Sequence, residues 1–259
     1  MVDKIKDLLK GYIEESHYGH NALLRIRNKV SGPHREPNYD KTNSILKNKK
    51  ELKEALNEID EIGLPKVGDE PKNWDSLSAL TKIINSTTKD SKVLDAGGEK
   101  YSMILPWLSL YGYKNLEAIN IAFDRTFKKG PITYKKDDIT STTYDRNTFD
   151  AVTCLSVIEH GVEVDDYLEE MSRILKDNGI LLTSTDYSKY GTETGNKKAY
   201  GTNVRVFTEE GIKSLLDEAK KNNLSLDSRL IFEDHDNVVR WERMDLEFTY
   251  IIMCHKKNG

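Results

Sequence analysis

Two short runs hold the residue types that bond-making chemistry needs. Lys92-Val-Leu-Asp-Ala-Gly-Gly98 places a carboxylate, Asp95, shortly ahead of paired glycines, Gly97 and Gly98. Glycine lets a ligand approach backbone that a Cβ would screen. The apolar run before it predicts a buried strand that delivers this turn to a sheet edge. Phe149-Asp-Ala-Val-Thr-Cys-Leu-Ser-Val-Ile-Glu-His160 ends a second apolar run in Glu159 and His160. A neutral imidazole can take a proton near neutrality, so His160 is a candidate general base. Capping a helix or bonding a carbonyl accounts for the same histidine equally well.

The elements that must position these residues alternate from residue 91 onward. Strands are predicted at 92–95, 116–121, 132–136, 149–155 and 179–185, with helices near 102–111, 122–127 and 163–176. Such alternation predicts a parallel sheet with helices on both faces. A loop then covers 186–204, a helix 208–222, and strands 228–233 and 246–255 follow without an intervening helix, which predicts a closing antiparallel hairpin. Upstream, Ile5, Leu8, Leu9, Tyr12 and Ile13 fall on one helical face, the two prolines and glycine of Val30–Tyr39 exclude a regular element, and a charged helix is expected at 43–60 and another at 75–86. The expected division is 1–72, a helical extension covering the substrate site, and 73–259, the cofactor-binding domain.

In order and wording these runs resemble the Rossmann-like (class I) S-adenosylmethionine-dependent methyltransferases, over roughly 91–255. Val93–Gly98 is similar to that family's first motif, Phe149–His160 to its fourth-strand motif, Leu175-Lys-Asp-Asn-Gly-Ile-Leu-Leu182 to its approach to strand five, and Val206–Ile212 to its next helix start. The resemblance implies an α/β fold with a mostly parallel seven-stranded sheet, a terminal antiparallel hairpin, and S-adenosylmethionine as cofactor. It implies cofactor contacts from Asp95, Gly97, Gly98, Asn120, Asp138, Ile139, Leu155 and Ser156. Asp95 would orient the glycine loop and the methionine ammonium. Asn120 would stand where the family carries a ribose-binding acid, and Asp138, in preference to Asp137, would accept from the adenine amine. Trp74 would close over the cofactor or pack in the core. His160 and Glu159 would be catalytic. Some relatives hold a metal with an added carboxylate where this chain has Ser156, so no metal is expected.

Composition bounds the partners. A net charge of −4 argues against a nucleic-acid binder, no run is long enough to span a membrane, and two cysteines make no disulfide framework. Cys154 and Cys254 both fall in expected buried strands, so a reducing cytoplasm is the expected home. The acidic balance and the separate helical cover favour a small polar acceptor such as a sugar or nucleotide-linked sugar of a surface glycan, and the resemblance implies its O-methylation, by a monomer or homodimer. An N-methyltransferase and a non-catalytic cofactor-binding protein remain alternatives. His17, His20, His34 and Arg35 are either acceptor-pocket residues or solvated surface, and Asp234-His235-Asp236 is a metal-like triplet or a turn.

Overall fold

The computed structural model describes residues 15–195, 197–199 and 201–259. The helix expected around Ile5–Ile13 therefore lies outside the described residues. The chain then forms α1 (His17–Asn28), β1 (Ser44–Ile45), α2 (Lys49–Ile62), α3 (Lys72–Ser86), β2 (Lys92–Ala96), α4 (Ile104–Leu110), β3 (Asn115–Ile119), β4 (Phe127–Lys129), β5 (Ile132–Lys135), β6 (Phe149–Leu155), α5 (Val164–Ile174) and β7 (Leu175–Tyr187). A short hairpin, β8 (Lys198–Ala199) and β9 (Thr202–Asn203), precedes α6 (Glu209–Lys221), β10 (Leu224–Leu226), β11 (Val239–Trp241) and β12 (Leu246–Lys257).

The main sheet runs β1-β12-β7-β6-β2-β3-β5-β4, with β10 and β11 also paired to β12. β5, β3, β2, β6 and β7 are mutually parallel, and β12 enters antiparallel to β7 over Thr249–Lys256. This is the expected α/β fold with its terminal antiparallel hairpin. Alternate residues serve opposite faces, as the two-residue strand period requires. Tyr250, Ile252 and Cys254 join the core under α2, α3 and α4, whereas Ile251 and Met253 join the core under α5 and α6.

Local chemistry explains the helix ends. Asn48 caps α2 by accepting from the Glu51 amide at 3.0 Å, and Gly63 terminates it in the left-handed region. Leu52, Ala55, Ile59 and Ile62 form its buried stripe; full burial of each large aliphatic side chain contributes about 1.5–3 kcal/mol. Pro106 falls in the first turn of α4, where a missing N–H is tolerated.

Four expectations about elements are corrected. The helix foreseen at 43–60 begins only at Lys49, because Ser44–Ile45 pairs with Ile251–Ile252 as a sheet strand. The helix foreseen at 75–86 begins earlier, at Lys72. No helix forms at 122–127; instead Phe127–Lys129 pairs antiparallel with β5, and Phe127 stacks on Tyr134 with ring centroids 4.7 Å apart. The strand foreseen at 228–233 lies at Leu224–Leu226. Beyond it the outer edge of β12 is already taken: Asn43 accepts from the Cys254 amide and donates to Asp227 and Ser228, and β1 follows.

Candidate active site

The chain runs from β2 outward to β3 and β5, then returns to the other side of β2 as β6. That reversal opens a crevice beyond the carboxyl ends of β2 and β6, the usual ligand position in such sheets. A cavity of about 70 Å³ lies there, lined by Gly97, Gly98 and Glu99 after β2, by Leu155, Ser156 and Val157 at the end of β6, and by Lys72, Asp75 and Ser76 of α3. A larger surface depression of about 210 Å³ sits among Lys41, Lys47, Lys50 and Glu54 at the start of α2, but no strand end reaches it.

Asp95 is buried beneath the glycine turn. Its two oxygens accept from Thr153 Oγ1 at 2.8 Å and Ser102 Oγ at 2.9 Å. Burial raises its carboxyl to about 6, against the pull of those two hydroxyls. A Cβ on Gly98 would come within 2.1 Å of the Asp95 carboxylate, so only glycine lets the turn close over the acid.

Across the cavity, Ser156 adopts a positive φ of 53°, a strained conformation for a residue with a side chain. Its amide donates to the Ser184 backbone oxygen and to Ser184 Oγ, both at 3.1 Å. The Ser184 hydroxyl in turn donates to Asp75 Oδ2 at 2.6 Å. Ser156 Oγ itself is buried and has no hydrogen-bond partner among the described residues.

Behind this wall lie Glu159 and Asp186, both buried. Glu159 accepts from Thr185 Oγ1 at 3.1 Å; desolvation pushes its carboxyl upward against Lys72, and Asp186 is raised by burial and by Glu159. Asp75 is likewise raised by burial, to about 6. Lys72 keeps its proton despite burial because Glu159, Asp75 and Asp69 surround it. His160 follows β6 but is not among the residues lining the cavity; its Nε2 stands 4.0 Å from Glu159 Oε1. Burial, then Lys72, lowers its imidazole to about 4, so it is neutral at physiological pH.

The remaining candidates are placed as follows. Asn120 donates from its amide to the Gly97 carbonyl at 2.9 Å and accepts from the Ala122 amide at 2.8 Å. Asp137 is buried and spent on the Thr143 amide and hydroxyl and on Lys135, whereas Asp138 is exposed and accepts only from Thr140. Ile139 is buried beside them. Trp74 is fully buried in the core and is not part of the cavity wall. His17 and His34 bond Asn21 and Ser31, His20 packs on Gly130, and Arg35 pairs with Glu58 and Glu61, all outside the cavity wall. Asp234 is tied to Lys189, and His235 Nδ1 bonds the Asp236 carbonyl. No group of three acidic, histidine or cysteine side chains suited to a metal occurs among the described residues.

Sequence reasoning missed Lys72, Asp75 and Ser184. The charged i, i+3 spacing of Lys72 and Asp75 was a signal, but it reads equally as an exposed helix face.

Residues 106–183 match the family described as methyltransferase domain. No curated protein sequence matches the chain. The fold is shared with solved structures of low sequence identity. An S-adenosylmethionine-dependent methyltransferase from Methanosarcina mazei is 15% identical, with a TM-score of 0.50 over 67% of this chain and 95% of that one. A Mesorhizobium loti S-adenosylmethionine-dependent methyltransferase is 12% identical, with a TM-score of 0.51 over 71% and 97%. Burkholderia thailandensis 1,6-didemethyltoxoflavin-N1-methyltransferase, solved with 1,6-didemethyltoxoflavin and S-adenosylhomocysteine, is 14% identical, with a TM-score of 0.51 over 71% and 79%. The family match covers less than a third of the chain, and the likeness to these structures shows a shared fold.

Proposed function

We propose that the chain transfers a methyl group from S-adenosylmethionine to a small polar acceptor. One observation carries this reading: the glycine turn of β2 and the strained Ser156 turn of β6 face each other across a cavity at the reversal point of the sheet. The partnerless Ser156 hydroxyl and the open glycine backbone fit the methionine end of that cofactor. In this reading Asp138 and Ile139 after β5 serve adenine, Asn120 after β3 serves the ribose, and Glu159 and His160 after β6 serve the acceptor.

Bound there, S-adenosylmethionine supplies a methyl group already activated by its sulfonium, so the protein must chiefly align the acceptor and remove a proton. His160, neutral and just past the end of β6, is the candidate to receive the proton of a hydroxyl. Glu159 lies behind it as a positioning residue. We favour a hydroxyl acceptor such as a sugar or nucleotide-linked sugar, in keeping with the acidic chain and with an N-terminal extension that, in this reading, covers the acceptor. The buried acids Asp75, Glu159 and Asp186 favour a second reading, an amine acceptor held by negative charge.

Calorimetric titration with S-adenosylmethionine, S-adenosylhomocysteine and NAD tests the cofactor. Binding of NAD alone would sink the reading. Methyl-labelled cofactor, incubated with a panel of sugars, nucleotide sugars and small amines, then decides between oxygen and nitrogen by where the label appears.

A further inference from the structure

We propose that Lys72 and Asp75, one helical turn apart on α3, grip the two charges of the cofactor's amino acid end. The Lys72 ammonium takes the α-carboxylate, and the Asp75 carboxylate takes the α-ammonium. This rests on the methyltransferase reading above and names residues that reading does not need.

The argument starts from the ligand. The amino acid end of S-adenosylmethionine carries opposite charges on adjacent carbon substituents, and bringing it into a buried cavity is costly unless each charge meets a partner. Among the described residues lining the cavity, Lys72 is the single cation. It sits in the fields of Glu159, Asp75 and Asp69, yet no carboxylate among the described residues closes a direct ion pair with it. An ammonium that is held charged at a cavity wall and not directly paired is suited to an incoming carboxylate.

The anion must come from Asp95, Glu99 or Asp75. Both Asp95 oxygens are already occupied, by Thr153 and Ser102. Glu99 rides on the glycine turn and is only half-buried. Asp75 has Oδ2 fixed by Ser184 at 2.6 Å; its neighbour Ser76 adds a long hydroxyl contact to Oδ1 at 3.4 Å and a backbone hydrogen bond to the carboxylate. The carboxylate is thus held at the cavity wall by a bond to β7, with no cation closing an ion pair on it among the described residues. An independent observation points to the same place: Ser156 Oγ, on a residue only 7% exposed, lines this cavity without a protein partner. A polar ligand end would satisfy it.

The rival role is purely structural, with Lys72 neutralising the acids around it. Calorimetry with three ligands separates the two: S-adenosylhomocysteine, its decarboxylated analogue, and 5′-methylthioadenosine, which lacks both charges. The unmodified protein is expected to bind S-adenosylhomocysteine about 10- to 100-fold more tightly than the decarboxylated analogue, the range for one charged hydrogen bond. Lys72→Gln should remove that preference and leave the decarboxylated analogue nearly unaffected. Asp75→Asn should weaken both amine-bearing ligands and spare 5′-methylthioadenosine. Equal weakening of all three ligands by Lys72→Gln would overturn the proposal in favour of the structural role. So would equal affinity of the unmodified protein for all three, a comparison that needs no variant to fold. If the unmodified protein bound none of the three, the cofactor reading would fall first and take this one with it.

Discussion

The Asn120 side chain donates to the Gly97 carbonyl at 2.9 Å, so the residue that ends β3 holds the glycine turn that ends β2. Gly97 answers with its own amide, which donates to the Ile119 carbonyl at 2.8 Å. Where a ribose-binding acid is the family habit, an asparagine here does something an acid cannot, since a carboxylate has no N–H to give the carbonyl. The loss of a charged ribose partner is thereby coupled to a firmer loop.

Asn120→Asp is expected to destabilise the fold by about 1–3 kcal/mol, because it sets a carboxylate against a carbonyl that has lost its donor. Urea unfolding of the two proteins measures this. Unchanged stability together with tighter cofactor binding would return position 120 to a ribose role alone.

β2, β6 and α5 are legible in the sequence because the two strands are near-continuous apolar runs, the helix carries an apolar stripe, and their ends carry glycine or acid. β1 is not. Ser44–Ile45 is too short to show a period, and it is a strand only because β12 offers an unpaired edge after Asn43 bonds Cys254. β10 is displaced from its expected place by the same competition for that edge. In the site, Asp95, Gly97 and Ser156 stand on strand ends, which sequence order can place. Lys72 and Asp75 stand on a helix whose polar face turns inward only because the cavity between β2 and β6 lies beneath it. Trp74, between them in sequence, points into the core because it falls off that face.

The low basicity of His160 has a kinetic consequence. Burial and Lys72 keep its imidazole unprotonated down to about pH 4. If His160 receives the acceptor proton, kcat at saturating cofactor is already on its plateau at pH 6 and falls only near pH 4, as the imidazole charges. A limb near 7 would instead assign the step to Glu159, whose carboxyl burial raises to about 7. We expect the flat profile, with His160→Ala lowering turnover by roughly 10²-fold, the lower end for a positioned base. His160→Asn keeps a hydrogen bond without accepting a proton, so near-normal turnover in that variant would make His160 a positioning residue.

Acid stability turns on a histidine far from the cavity. His255 is 1% exposed, both ring nitrogens are partnerless among the described residues, and burial lowers its imidazole to about 4 although Asp227 pulls the other way. The unfolded chain therefore binds a proton below about pH 6.5 that the folded chain refuses until about pH 4. Stability contributed above 6.5 is lost across that window, by up to about 3 kcal/mol. Asp75 and Asp95 act in the opposite sense, since their raised carboxyls take protons in the folded state first. The comparison must then be made between proteins: His255→Leu should lose less stability than the parent between pH 7 and 4.5 by urea unfolding. Parallel curves would mean that His255 finds a way to charge without unfolding.

Gly98 is required for space, not for backbone freedom, because its φ is not among the positive ones. A methyl group there would lie 2.1 Å from Asp95 Oδ2 and 2.5 Å from Cγ. Asp95 cannot swing aside without breaking its bonds from Thr153 and Ser102. Gly98→Ala should accordingly cost about 1–3 kcal/mol, the usual cost of overpacking, and distort the turn that faces the cavity. Asp95→Ala removes the obstacle as well as the two hydrogen bonds, so the double variant should be more stable than the sum of the single losses predicts. Residues in direct conflict couple in this way, whereas independent sites add. Urea midpoints of the four proteins in the cycle give the coupling directly. Strict additivity would place the role of Gly98 somewhere other than against Asp95, and the closure of the glycine turn over that acid would lose its physical basis.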